Sequence, residues 1–186
     1  MTEIVSLSGP ELVTYADELA ALLVESVTGG ASMGFLAPLD RGVAAQWWRE
    51  QAAAVEAGHR QVWIARDDER VAGTVSLVRA LLPNARHRAE VAKLMVRPSA
   101  RGQGVDAALL AAVERAAAGA GVTLLLLDTE TDCPAERLYR SAGWTRCGSV
   151  PDYAADPAGV LRPTTFYYKA VGAAAGPERR GADAPA

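Results

Sequence analysis

One stretch decides the fold: Leu94-Met95-Val96-Arg97-Pro98-Ser99-Ala100-Arg101-Gly102-Gln103-Gly104-Val105. Residues 89–96 alternate well enough to predict a strand, and apolar residues at helical spacing after Val105 predict a helix. A turn between a strand and a helix gathers the unpaired N–H groups at the start of the helix. Its glycines let an anion approach the main chain and permit positive φ. The stretch therefore predicts a site for a small anion, although tight turns of this kind also occur without a ligand.

The segments on either side of this turn predict a sheet. Further strands are predicted at residues 3–7, 60–65, 71–78, 122–127, 145–150 and 164–169, and helices after residue 8, from 40 to about 57, from 105 to 119 and from 134 to 142. The continuous apolar run at 122–127 is typical of a strand buried on both faces. We therefore expect a mixed α/β domain with one partly parallel sheet, followed by a disordered tail at residues 172–186.

The composition limits the class of protein. Half of the 186 residues are hydrophobic, 22% are charged and the formal net charge is −3, which fits one ordinary soluble domain. No apolar run approaches the roughly 20 residues that span a bilayer, so no membrane partner is expected. Lys and Arg number 19 against 22 Asp and Glu, so no nucleic-acid partner is expected. The first residues lack an export signal, and we expect a cytoplasmic protein without a metal.

Two motifs, in this order, resemble the GNAT acyltransferase superfamily. The first is the stretch at 94–105, which matches a strand followed by Arg-x-x-Gly-x-Gly/Ala at the start of a helix. The second, at residues 132–144, follows the family helix Asn-x-x-Ala-x-x-Leu-Tyr-x-x-x-Gly-Phe. The resemblance covers residues 3–170 and implies a GNAT-like domain over residues 1–171. Its fold would be a central, partly parallel, splayed sheet of about six to seven strands flanked by about four helices.

The resemblance implies acetyl-CoA as the cosubstrate. In that family the turn holds the pyrophosphate of acetyl-CoA, and the backbone of the preceding strand binds the pantetheine and the acetyl carbonyl. Carried over to matching positions, cofactor contacts are expected at Leu94, Met95, Val96, Arg101, Gly102, Gln103, Gly104, Val105, Asp106, Asp132 and Ala135.

Two of these positions depart from the family pattern. Asp106 stands where the family has Gly or Ala, in the first turn of the helix. There it stabilises the empty helix end but repels a bound pyrophosphate, by about 1 kcal/mol if the carboxylate stays partly solvated. The carboxylate either turns to water or points inward and displaces the donor. Asp132 replaces Asn, and we expect it to cap the following helix equally well.

Acyl transfer to an amine requires a neutral nucleophile, a polarised carbonyl and a proton for the departing thiolate. The resemblance makes Tyr139 the proton donor, although its helical position also fits a core tyrosine. Glu90 and Asp128 lie at opposite ends of predicted neighbouring strands. A splayed junction between parallel neighbours would bring them to one cleft, where they would attract a cationic amine and accept its proton unless they are merely solvated. Neither cysteine, Cys133 nor Cys147, has a histidine nearby in the sequence, so a Cys-His nucleophile is not expected.

Segments at 31–35, 89–94, 127–131 and 151–169 resemble more closely the tabtoxin-resistance acetyltransferase branch. This likeness implies substrate-site roles for Glu90 as base and for Asp128 as binder or base, with Glu130 on the same side of its strand as Asp128. Ser32, Met33 and Phe35 lie on a glycine-rich loop that forms either the wall of the acceptor site or a plain connector.

The sequence thus favours an acetyl-CoA-dependent N-acetyltransferase for a small amine, amino-acid-like or antibiotic-like by resemblance, acting as a monomer or homodimer. Two other functions stay open. Because of Asp106, the chain could be a GNAT-like domain that binds an acyl-CoA or a metabolite without turnover. It could also acetylate a protein N-terminus or a lysine.

Overall fold

A seven-stranded mixed sheet organises the structure, a computed structural model that describes residues 2–67 and 70–172. The strands are β1 Glu3–Leu7, β2 Arg60–Arg66, β3 Val71–Arg79, β4 Arg88–Val96, β5 Leu124–Glu130, β6 Thr145–Ala155 and β7 Leu161–Ala170. Their order across the sheet is β1-β2-β3-β4-β5-β7-β6, and β4–β5 is its parallel pair. This confirms the predicted mixed α/β fold with a partly parallel sheet. Residues 173–186 of the predicted tail lie outside the described residues.

Helices cover the two faces of the sheet to different extents. They are α1 Gly9–Thr28, α2 Arg41–Glu50, α3 Ala52–Glu56, α4 Val105–Gly119 and α5 Ala135–Ser141. Helices α4 and α5 share one buried cluster with residues of β2, β3, β4, β5 and β7. Helices α1 and α2 build a second cluster on the other face, and within the described chain this cluster includes no residue of β5, β6 or β7. That half of the second face is therefore left without a helix.

Strand β5 differs from the expectation of burial on both faces. Leu125 and Leu127 are buried, but Leu124 and Leu126 are only half-buried. The physical reason is the missing helix on the second face, because a strand covered by helices on one face only alternates in burial. The apolar run was read correctly as a strand and wrongly as a fully enclosed one.

The second predicted helix, from residue 40 to about 57, is interrupted at Gln51. The Gln51 side chain donates a hydrogen bond to the carbonyl of Trp47 over 3.0 Å. That carbonyl would otherwise accept the backbone N–H of Gln51, which instead bonds Trp48 over 3.1 Å. The chain tightens by one residue there, and the helix resumes as α3.

Strands β4 and β5 stay together only briefly. They pair at Arg88 with Leu124, at Ala89 with Leu125 and at Glu90 with Leu126, and the described register contains no later pair. Because the partner has moved away, the β4 backbone beyond Glu90 leaves hydrogen-bonding groups on its β5 side for another partner. The splayed sheet expected from the sequence is therefore present.

A β-bulge distorts β4 on its other side, where it pairs with β3. Thr74 lies opposite Met95 and Ser76 lies opposite Ala92, so two residues of β4 stand opposite one of β3. Lys93 is one of the two and has a φ of 55°, which is unusual for a residue with a side chain. A bulge of this kind bends the strand and redirects its side chains.

Strands β6 and β7 extend beyond the predicted 145–150 and 164–169, and the loop that joins them reaches the segment between α1 and α2. There the backbone N–H of Ala37 donates a hydrogen bond to the carbonyl of Pro157 over 2.8 Å. The loop at residues 29–40 thus crosses the half of the sheet face that no helix covers. None of the helices in the described parts of the chain is long and apolar enough to cross a bilayer.

A polar network ties α4, the C-terminal end of α5 and β7 together. The Trp144 indole N–H and the Lys169 ammonium donate to the two oxygens of Glu114 over 2.8 and 2.7 Å. Lys169 also donates to the carbonyl of Ala142 over 2.7 Å. The Glu114 and Lys169 side chains are 18% and 23% exposed, so this ion pair is screened less than a surface pair.

We expect Glu114→Gln to lower the free energy of unfolding by about 2 kcal/mol, because the Lys169 ammonium then stays largely buried without its anion. Denaturant titration at neutral pH measures the change. Glu50→Gln, at an exposed position, is the matched control and should shift stability by less than about 0.5 kcal/mol. Equal effects of the two substitutions would contradict the importance of this network.

Candidate functional site

The turn between β4 and α4 has the geometry expected of an anion site. Gly102 and Gly104 have φ of 74° and 76°, in the left-handed region that glycine adopts without strain. Gly104 caps α4, and its carbonyl accepts the N–H of Ala108 over 3.0 Å. The N–H groups of Val105 and Asp106 precede this first helical bond and are free of it, so they are available to a ligand at the end of the helix.

A cavity of about 590 Å³ runs from this turn to Tyr139. Seven of the predicted cofactor residues line it: Leu94, Met95, Val96, Arg101, Asp106, Asp132 and Ala135. Gly102, Gln103 and Gly104 form the turn itself, and Gln103 donates to the carbonyl of Ser99 over 3.0 Å. The Val105 side chain is buried in the core, which leaves only its backbone for a ligand. The cavity also follows the part of β4 that has separated from β5. The free backbone groups of β4 there can form hydrogen bonds with the amides of an extended ligand.

Asp106 faces this cavity. Its carboxylate accepts the N–H of Ala107 over 2.8 Å and is half-buried. A negative charge thus occupies one donor at the positive end of α4, where a phosphate would bind. The turn and the cavity fit a nucleotide pyrophosphate, and Asp106 is the group that opposes it.

Asp132 does not cap α5, contrary to the expectation. The N-cap residue is Pro134, and no side chain caps this helix. Asp132 lies two residues earlier with a φ of 62°, so its carboxylate is not at the capping position. It is exposed and lines the cavity.

A second cavity, of about 470 Å³, lies under the loop at 29–40 and meets the first. The two share seven lining residues: Ser32, Met33, Leu94, Thr129, Glu130, Ala135 and Tyr139. Phe35 lines the second cavity as well, so the loop forms a wall and is not a plain connector. Both volumes are in the range of small-molecule sites, and Tyr139 lies where they join.

Tyr139 is buried between aromatic rings at this junction. It is 7% exposed, and its ring centre lies 6.1 Å from that of Trp144 and 5.8 Å from that of Tyr167. Burial, followed by the nearby Cys133 and Asp128, raises the pKa of the Tyr139 phenol well above its ordinary value. The group therefore stays protonated at neutral pH and can act as a hydrogen-bond or proton donor.

Glu90 and Asp128 both line the second cavity, as expected for a splayed junction between parallel strands. Both remain accessible to solvent in the open cavity. Partial desolvation, followed by the charge of Asp128, raises the pKa of Glu90, while Lys93 opposes the shift. Desolvation also raises the pKa of Asp128, again against Lys93. A carboxylate whose pKa is moved toward neutrality is a better proton acceptor for catalysis near pH 7.

Other ionisable residues differ in whether they line the two cavities. Glu130 is half-buried and lines both cavities. The basic residues around Pro83 line neither cavity: Arg79, Arg86, His87 and Arg88. In the described ranges, no group of three or more His, Cys, Asp and Glu is placed to hold a metal ion.

The sequence reasoning assigned no role to Lys93, which lines the second cavity. Its position depends on a bulge, and alternation of apolar and polar residues does not reveal a bulge. Tyr153, at the far wall, was also missed, and it packs edge-on against Phe166 at 5.1 Å.

The Acetyltransferase (GNAT) family matches residues 34–144, which is more than half of the chain. Both the turn and Tyr139 fall inside this match.

Three solved structures illustrate the similarity of fold. A putative acetyltransferase, yncA, from Salmonella typhimurium with its cofactor acetyl-CoA is 18% identical with a TM-score of 0.74, covering 96% of this chain and 99% of that one. A phosphinothricin acetyltransferase from Sinorhizobium meliloti in complex with AcCoA is 18% identical with a TM-score of 0.74, covering 96% and 94%. A ribosomal-protein-alanine N-acetyltransferase from Brucella melitensis is 22% identical with a TM-score of 0.72, covering 91% and 99%.

We expect Asp106→Asn to strengthen the binding of acetyl-CoA, by about fivefold for a loss of repulsion of about 1 kcal/mol. The amide retains an oxygen for the N–H of Ala107 but removes the charge that faces the cavity. Isothermal titration calorimetry at low ionic strength measures the change, and the gain should shrink as salt is added. Weaker binding by the variant would mean that the carboxylate is required for the shape of the turn.

Proposed function

The chain belongs to the acetyltransferase (GNAT) family, and from this premise we propose that it transfers an acetyl group from acetyl-CoA directly to the amine of a small acceptor. The observation that supports this most strongly is the position of Tyr139 at the junction of the two cavities. One cavity begins at the anion-binding turn, and the other contains the carboxylates that attract an amine. The acyl donor and the acceptor can therefore meet beside a single buried proton donor.

Each side chain has a role that its surroundings support. When bound, acetyl-CoA would supply the activated thioester. The N–H groups of Val105 and Asp106 at the turn would hold its pyrophosphate, and the free backbone of β4 would hold its pantetheine arm. Glu90 accepts the amine proton, directly or through water, and Asp128 binds the cationic amine and raises the basicity of Glu90. The Tyr139 hydroxyl donates a proton to the departing thiolate sulfur.

We propose a small acceptor, amino-acid-like or antibiotic-like, rather than a protein. The loop at 29–40 crosses the second cavity and is bonded to the β6–β7 connection through Ala37 and Pro157. A cavity of about 470 Å³ beneath this loop is in the size range of small-molecule sites. The likeness to the tabtoxin-resistance branch points the same way. A phosphinothricin acetyltransferase and a ribosomal-protein-alanine N-acetyltransferase share this fold equally well, so fold alone does not choose between the acceptors.

Asp106 favours a second candidate function, a domain that binds an acyl-CoA or a metabolite without turnover. Its carboxylate opposes the pyrophosphate at the turn and weakens the hold on the donor. The first test below separates this function from catalysis.

The proposed function predicts that thiol is released from acetyl-CoA in the presence of small primary amines and not of peptides with N-terminal alanine. Tyr139→Phe should lower turnover by about a hundredfold to ten-thousandfold, because the thiolate loses its proton donor. The affinity for acetyl-CoA should stay nearly unchanged in calorimetry. A thiol-release assay across a panel of amines and peptides measures the turnover.

Three results would contradict this assignment. Binding of acetyl-CoA without amine-dependent thiol release would favour the non-catalytic domain. Release with peptides alone would favour protein acetylation. Unchanged turnover in Tyr139→Phe would remove Tyr139 from the mechanism.

The coupling of the two carboxylates predicts a shift in pH dependence. Asp128 raises the pKa of Glu90, so Asp128→Asn should lower that pKa and move the acidic limb of kcat/KM to lower pH. The profile is recorded with one amine for both enzymes, so that the pKa of the amine is common to them. Asp17→Asn, on the surface away from both cavities, is the control and should leave the limb in place. A limb that stays or moves upward would exclude Glu90 as the coupled base.

A further inference from the structure

The ammonium of Lys93 reaches the wall of the second cavity. It lies 5.3 Å from the ring centre of Trp47 and 6.0 Å from that of Phe35. A Cβ built on Gly34 would lie 3.7 Å from the same nitrogen, so the side chain extends from the bulge in β4 to the loop that covers the cavity. The group is half-buried and lines the cavity together with Glu90 and Asp128.

This ammonium has no anion of its own. Across residues 2–67 and 70–172, no carboxylate oxygen lies within 4.0 Å of Lys93, and its nitrogen donates no hydrogen bond to another residue. Ring faces attract a cation only weakly compared with an anion. Burial lowers the pKa of Lys93, the charge of Arg60 lowers it further, and Asp128 and Glu90 act in the opposite direction. A half-buried ammonium without an anion raises the free energy of the protein, and an anionic ligand would lower it.

Opposite charges therefore line one cavity without touching. Glu90 and Asp128 are on β4 and β5, and the Lys93 ammonium lies against the loop and Trp47. A molecule with an ammonium at one end and an oxyanion at the other would satisfy both sides, whereas an amine without an anion would leave Lys93 unpaired.

We propose that Lys93 determines acceptor specificity by binding an oxyanion on the acceptor, so that the acceptor is a zwitterion whose amine lies at Glu90 and Asp128. This inference rests on the proposed function of the same cavity. The oxyanion is a carboxylate or a phosphonate, which share the charge and the acceptor oxygens that a lysine ammonium recognises.

The test compares matched ligands that differ only in the anion. The CoA-loaded enzyme is titrated by calorimetry with glycine, L-alanine, β-alanine and γ-aminobutyrate and with the carboxamide of each. Aminomethylphosphonate is added to distinguish a phosphonate from a carboxylate. In at least one pair the oxyanion should bind about tenfold to a hundredfold more tightly than its neutral partner, the range for a charge-assisted hydrogen bond.

Substitutions then assign the preference to Lys93. Lys93→Met should abolish it by weakening the oxyanion ligand alone, and Lys93→Arg should retain it. Both substitutes have a side chain and face the same positive φ, so backbone strain is matched between them. Lys93→Gln replaces the methionine variant if that variant does not fold, as judged by thermal melting. Arg86→Met, exposed and outside both cavities, is the control and should leave every affinity unchanged.

Three results would overturn the proposal. The first is the absence of an oxyanion preference in every pair, and the second is a preference that survives in Lys93→Met. The third is tighter binding of carboxamides by Lys93→Met, which would mean that Lys93 competes with the amine. The proposed function is judged separately by thiol release. If the wild-type enzyme acetylates amines but shows no oxyanion preference, only the proposed specificity is wrong. If it shows a Lys93-dependent preference but releases no thiol, only the proposed catalysis is wrong.

Discussion

Three residue pairs hold β4 against β5, and then the two strands separate. Strands part only where the lost backbone hydrogen bonds can be made to water or to a ligand, because unsatisfied amides are costly. Here the gap opens into both cavities. The parting brings Glu90 and Asp128 to one space, places the turn at the end of β4 beside the free backbone, and sets Tyr139 of α5 against the opening. The positions of the turn, the two carboxylates and the Tyr139 phenol therefore depend on the separation of these two strands.

Most of the fold was predictable because its signals are local. The glycine turn and the periodicity of the helices and strands depend on nearby residues, and the elements they predicted are present. The failures come from longer-range effects. The apolar residues at 122–127 do not show that a helix is missing from one face, and nothing before Gln51 shows that its side chain will take the carbonyl of Trp47. The ends of β6 and β7 depend on each other and were predicted too short.

The residues of the candidate site also divide into those that local signals predict and those that they do not. Gly102, Gly104 and Tyr139 could be found from motifs, since their roles follow from backbone geometry and helix position. Glu90 and Asp128 lie at opposite ends of their strands, and they meet because the register places Glu90 opposite Leu126, two residues before Asp128, where the strands separate. Lys93 could not be placed, because a bulge changes where a side chain points without leaving a mark in the alternation. Asp132 was wrongly predicted to cap α5 for a related reason. Its φ of 62° is not visible in the sequence, and it moves the carboxylate away from the start of the helix.

The network of Glu114, Trp144 and Lys169 has a consequence for how this protein can change during evolution. It bonds α4, which begins at the turn, to the end of α5, which bears Tyr139, so the turn and Tyr139 belong to one hydrogen-bonded unit. One wall of the second cavity belongs instead to the loop at 29–40, which the bond between Ala37 and Pro157 joins to the β6–β7 connection. Mutations in that loop can therefore change the shape of the second cavity without disturbing the bonds between α4, the end of α5 and β7.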